Sequence, residues 1–296
     1  MLFPQARRAV EAAADEVRVQ DPAFDVEQAR AEAQREALAE PREPVEQVRD
    51  LDAGGVPCRL YVPSGAAPGV VVHVHGGGFV LNDVEVHDNA ARRLADRCGL
   101  AVLSVDYRRP PEHRFPAAPD DVSTVLAWLE EHGDEEGLGG PTYAHGDSAG
   151  ANLALVAALR HPGRLRALAL TYPFLDPRGE EDSYDLEGVG FERGGAEWYW
   201  QQYAATAADL VDPDLAPLRS DDERLATLPP TLVVTAEGDP LRDEGERLAR
   251  RLAELGVEVT ATRYLGQVHG FWRHPSVFDA AEPLTRQLAG FLRMHP

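Results

Sequence analysis

Apolar positions along the chain follow two alternating periods. Short runs rich in Val, Leu and Ala occupy 69–75, 100–106, 141–145, 168–171, 231–237 and 258–264. Most are separated by stretches of helical spacing. In one, Val122, Val125, Leu126 and Leu129 fall at i, i+3, i+4 and i+7, and in another Leu153, Val156, Ala157 and Arg160 do the same. Further helical patterns cover 245–255 and 282–294. Strands that read as continuous apolar runs and alternate with helices predict an α/β fold, with a mainly parallel central sheet flanked by helices on both faces. Upstream, 45–51 and 56–62 alternate apolar and polar residues around Asp52-Ala53-Gly54-Gly55, the pattern of an antiparallel hairpin.

Two segments stand outside this alternation. Residues 5–40 read as two helices broken at Pro22, with narrow stripes (Val10, Ala14, Val17, then Phe24, Ala31, Leu38) suited to lying over another surface. An insertion at about 180–218 places Phe191, Trp198, Tyr199, Trp200 and Tyr203 between two predicted strands. The expectation is an N-terminal pair of cap helices over 1–44 and one large α/β domain over 45–296, with the insertion completing a helical cap at the C-terminal edge of the sheet.

Composition narrows the partners. Fifty acidic residues against 29 basic ones give a formal charge of -21, which repels nucleic acid and anionic lipid. No apolar run reaches the roughly 18 residues of a membrane span, and Arg7 and Arg8 interrupt the N-terminus before a signal-peptide core develops. Cys58 and Cys98 lack metal-ligand spacing and read as reduced thiols of a cytoplasmic protein. Neither a metal nor a cofactor is expected. An exposed terminal strand offers an edge for pairing into a homodimer.

Candidate chemistry centres on Gly146-Asp147-Ser148-Ala149-Gly150, which fits a Gly-x-Ser-x-Gly elbow between an apolar run and a helix. Serine is a weak nucleophile at neutral pH and needs a base, which in turn needs an orienting group. Both follow in order, each after a strand: Asp239 in Gly238-Asp239-Pro240-Leu241, then His269 in Gln267-Val268-His269-Gly270. Glu237, Asp243 and Glu244 compete for the acidic role, but the last two suit the first turn of the next helix. The loop His75-Gly76-Gly77-Gly78-Phe79 offers close-approaching backbone N–H groups, and Ala149 N–H adds a donor. His75 itself reads as structural.

These blocks, with Asp106-Tyr107-Arg108, Pro111-Glu112-His113, Phe115-Pro116-Ala117, Asp239-Pro240-Leu241-Arg242-Asp243-Glu244 and His269-Gly270-Phe271, resemble the hormone-sensitive-lipase-like family of α/β-hydrolase carboxylesterases, in order from about Val45 to the C-terminus. The resemblance implies an α/β-hydrolase fold and a serine carboxylesterase that cleaves short- to medium-chain acyl esters through an acyl-enzyme. It implies Ser148 as nucleophile, His269 as base and acid, Asp239 as its orienter, and Gly77, Gly78 and Ala149 as the oxyanion hole. Phe24, Phe79, Phe191, Trp198, Tyr199 and Trp272 are candidates to line the substrate pocket. Two alternatives stand beside this reading: an amide or formamide hydrolase with the same triad, and a non-catalytic small-molecule-binding relative, which would be expected to lose the base. Serine at 148 excludes epoxide and haloalkane hydrolysis, which would need a carboxylate there. Three departures from the family pattern are Ala151 and Asn82, where glycine is common, and Arg109-Pro110, where Leu-Ala is usual. Asn82 and Arg109 are placed to alter the pocket rim or its supports.

Overall fold

The computed structural model describes residues 1–186 and 191–296, so residues 187–190 of the insertion lie outside the described residues. Its strands are β1 (Gln47–Asp52), β2 (Pro57–Val62), β3 (Ala67–Val74), β4 (Leu100–Val105), β5 (Thr142–Asp147), β6 (Leu168–Thr171), β7 (Thr231–Gly238) and β8 (Val259–Val268). They form one sheet in the order β1-β2-β4-β3-β5-β6-β7-β8. Strands β1 and β2 pair antiparallel around Gly54 (φ 72°) and Gly55 (φ 91°), whose positive φ values suit a tight hairpin turn. From β4 to β8 every pairing is parallel. The mainly parallel sheet read from the sequence is therefore present.

Each strand's two sides feed different layers. Val70, Val72 and Val74 of β3 pack with α4 (Ala117–His132), α5 (Ala149–Arg160) and α8 (Arg242–Glu254), whereas Val71 packs with α3 (Asp88–Cys98) and α9 (Ala281–Arg293). Burial of each such valine or leucine contributes about 1.5–3 kcal/mol. The five strands β3 to β7 are buried along most of their length, and β8 forms an exposed edge.

The N-terminal segment forms α1 (Pro4–Ala12) and α2 (Val26–Ala39), and the expected stripes are used only in part: Val10 and Phe24 pack against the core, whereas Ala14 and Ala31 are exposed. Val17 is 57% and Leu38 63% exposed, while Ala6 and Ala13 are buried. Small alanines let α1 approach closely, and α2, which buries no residue, is held by polar side chains instead. At the start of the chain, Phe3 N–H donates to Gly266 O (3.0 Å), and Leu2 and Phe3 press on Gly238 and Gly266, where a Cβ would come within 2.4 Å of them. The insertion contributes α6 (Arg193–Tyr203) and meets the N-terminal segment: Phe24 and Trp198 pack edge-on at 5.7 Å, and Gln20 Nε2 donates to Glu192 at 2.6 Å.

Candidate active site

The elbow is a matter of close approach. A Cβ on Gly146 would lie 2.2 Å from Gly150 O, and one on Gly150 would lie 2.0 Å from Val74 O. With those side chains absent, β5 turns straight into α5, and Ser148 takes φ 55°, ψ -121°. Such a conformation costs about 1–3 kcal/mol in a non-glycine residue and persists only where neighbours fix it. Here Ser148 N–H donates to Thr171 O (2.9 Å), and Ser148 O accepts from Ala151, Asn152 and Phe174 N–H.

Ser148 Oγ lies 3.0 Å from His269 Nε2, and His269 Nδ1 lies 2.8 Å from Asp239 Oδ2. The ionised carboxylate can only accept, so Nδ1 carries the proton and Nε2 is left to accept from the serine hydroxyl. Asp239 is fully buried, and its other oxygen accepts from Leu241 N–H at 2.8 Å. The competing carboxylates are engaged elsewhere. Asp243 pairs with Arg242 and accepts from Ser183 N–H (3.0 Å), while Glu244 accepts from Leu175 and Asp176 N–H. Burial pushes the Glu244 carboxyl well above the usual range. Glu237 accepts from Gly266 N–H.

The glycine loop follows β3. Gly77 (φ 123°) and Gly78 (φ 59°) adopt backbone conformations that suit glycine, and no described residue accepts from the N–H of Gly77, Gly78 or Ala149. Asp147, beside the serine, braces this loop from below: its Oδ1 accepts from Gly76 N–H (3.0 Å) and lies 3.2 Å from His87 Nε2. Burial works against the Asp147 charge, but His87, through its hydrogen bond and proximity, together with His73 and His145, outweighs burial and holds the carboxyl low. Tyr107 O–H donates to His75 O (2.9 Å), and the two rings stack at 4.3 Å.

The six candidate pocket aromatics divide. Phe191 stacks on the His269 imidazole at 4.9 Å, and Tyr199 covers Gly78, where a Cβ would sit 2.2 Å from its ring. Phe24 and Trp198 form the contact between N-terminal segment and insertion. Phe79 is fully buried, stacked on Tyr203 at 3.8 Å with Phe174 and Trp200 nearby, and is a packing residue. Trp272 is a correction. Gly270 (φ 78°) turns the chain away after His269, and Trp272 lies fully buried on the α3/α9 side, against His73 and His145, with its N–H donating to Thr285 Oγ1. Tyr172, at φ 36° with its ring 4.7 Å from His269, belongs to the site and carries no sequence motif that would mark it. Arg8, Ala9, Ala13 and Phe278 line a groove of about 690 Å³ that reaches His269.

A family model described as the alpha/beta hydrolase fold matches residues 71–273. The carboxylic ester hydrolase LipN of Mycobacterium tuberculosis is 37% identical over 258 residues, covering 82% of this chain and 68% of that protein. The ethyl acetate hydrolase of Pseudomonas putida is 33% identical, covering 82% and 80%. Among solved structures, a hyperthermophilic esterase from Pyrobaculum calidifontis superposes with a TM-score of 0.91 at 35% identity, covering 99% of this chain and 98% of its own.

Proposed function

This chain belongs to the hormone-sensitive-lipase-like carboxylesterases of the alpha/beta hydrolase fold family, and on that premise we propose that Ser148, His269 and Asp239 are its catalytic triad. It is a carboxylic ester hydrolase. The observation that carries the triad is the unbroken line from Ser148 Oγ through His269 to Asp239, with contacts of 3.0 and 2.8 Å.

In this mechanism His269 Nε2 takes the serine proton as Oγ attacks the ester carbonyl. The oxyanion forms against the N–H groups of Gly77, Gly78 and Ala149, which are fixed before charge develops. His269 then gives its proton to the departing alcohol, leaving an acyl-serine. Water, deprotonated by the same imidazole, releases the acid and restores the enzyme. Asp239 keeps Nδ1 protonated and stabilises the imidazolium.

The N-terminal residues 1–44 and the insertion at 180–218 act together as a cap, supported by the Phe24–Trp198 and Gln20–Glu192 contacts. Tyr199 on Gly78 and the Phe79, Tyr203 and Trp200 stack occupy space beside the oxyanion loop, which favours short to medium acyl chains. The exposed β8 edge supports pairing into a homodimer, and the two free, buried cysteines support residence in the cytoplasm. Among the described residues no helix is long and apolar enough to cross a membrane.

Ser148→Ala and His269→Ala test the reading. On p-nitrophenyl acetate and butyrate each should cost on the order of 10⁵–10⁶ in kcat. Turnover retained by either variant overturns it, and a panel of esters graded by acyl length, with an anilide and a formamide, sets the substrate class.

A further inference from the structure

The oxyanion loop is held from outside by a residue of the N-terminal segment. Arg30, on α2, has its side chain 17% exposed and engages three residues at once. Its Nε donates to Val80 O (2.9 Å), one Nη donates to Pro110 O (2.7 Å), and the two Nη groups share the Glu112 carboxylate at 2.7 and 3.2 Å. Val80 closes the turn that carries the loop: Val80 and Leu81 N–H both donate to Gly77 O, at 3.1 and 2.8 Å.

That turn needs holding. Phe79 (φ 66°) and Asn82 (φ 61°) are non-glycine residues with positive φ, and such strain survives only where surrounding contacts over-determine it. The departures at Asn82 and Arg109 serve this end. Asn82 Nδ2 donates to Gly76 O (3.2 Å), and Arg109 donates to Asn82 O. Arg30 completes the set from the far side of the turn and ties it to the 110–112 loop.

We propose that Arg30 is a positioning residue for the oxyanion hole, so that the N-terminal segment sets transition-state stabilisation as well as covering the site. This rests on the triad and oxyanion-hole reading above. Arg30 touches neither substrate nor reacting atoms. It acts through the Val80 carbonyl on the Gly77 and Gly78 N–H groups three and two residues earlier. A planar fork makes these bonds together, whereas an ammonium supplies one point of contact.

The experiment compares Arg30→Gln, Arg30→Lys and Arg35→Gln, the last an exposed arginine on the same helix that pairs with Glu32. For each, kcat and KM are measured on p-nitrophenyl butyrate, with the inhibition constant of a trifluoromethyl ketone, which forms an oxyanion on the serine, and the thermal melting midpoint. A loop displaced by a fraction of an ångström should cost about 10–100-fold in kcat. In both Arg30 variants KM should move less than about threefold, and ketone affinity should fall in step with kcat/KM, since only interactions realised in the transition state are lost. Arg35→Gln should match wild type. A folded Arg30→Gln with unchanged kcat, a rise in KM alone, or ketone affinity that stays constant while kcat falls overturns the proposal. If Arg30→Gln does not fold, Arg30→Lys decides, and wild-type kcat there overturns it. Turnover by Ser148→Ala, in contrast, would remove the underlying reading and leave the Arg30 result to be explained without an oxyanion hole.

Discussion

Phe191 stacks on the imidazole of His269, ring centroids 4.9 Å apart and planes 21° from parallel. The insertion thus supplies one wall beside His269. In the proposed mechanism His269 serves the departing alcohol, so Phe191→Ala should open that side. The ratio of kcat/KM on a bulky-alcohol ester to that on ethyl butyrate should rise by about 2–10-fold, the worth of one aromatic contact. An unchanged ratio would mean that Phe191 does not border the alcohol.

Two acidic residues four apart should separate sharply. Asp239→Asn leaves the imidazole in the wrong tautomer and should lower kcat by about 10⁴ at most. Asp243→Asn disturbs, among the described residues, a pairing with Arg242 and a bond from Ser183, and should stay within about tenfold, the range of an indirect effect. The reverse order in steady-state assays would reassign the third member of the triad.

Gly78→Ala places a Cβ 2.2 Å from the Tyr199 ring at φ 59°. The loop must move, and kcat should fall by about 10²–10³, as when one oxyanion donor is lost. Adding Tyr199→Ala removes the clash but not the backbone strain, so a double-mutant cycle should recover part of the loss. Strict additivity would show that the ring and the loop are not coupled.

Acid should destabilise the fold well above the carboxylate range. Burial holds His145 down to about 4, and also lowers His73, His75 and His87. Above pH 6.5 these imidazoles are neutral in both states. Between 6.5 and about 4 the unfolded chain takes up protons that the folded chain refuses, so stability is lost as pH falls. For His145 alone that amounts to about 3 kcal/mol. Chemical denaturation from pH 8 to 5 should show the loss steepening below 6.5. A flat profile there would refute it.

Much of this was legible in the sequence because the physics is local. Gly146 and Gly150 are demanded by backbone contact, and the spacing of Val122, Val125, Leu126 and Leu129 follows from one buried helical face. Asp239 and His269 could be placed because each directly follows a strand. What stayed hidden depends on three-dimensional facing. Trp272 sits three residues after His269, yet a turn at Gly270 sends it to the opposite layer. Leu38 suggested a packed stripe on α2, while the residues that dock this helix are Arg30 and Gln34, whose hydrogen-bond partners Val80, Pro110, Glu112 and Asp83 are distant in sequence.

The contact of Leu2 and Phe3 with Gly238 and Gly266 joins the opening residues to the loops that carry Asp239 and His269. On the ribosome these apolar side chains precede β7 and β8 and meet their partners only after both strands have been made. Ser148 likewise precedes His269, its proposed base, in the order of synthesis. A chain cut short before β8 therefore carries Ser148 without His269 beside it, and hydrolytic activity should appear only once β7 and β8 have closed against Leu2 and Phe3.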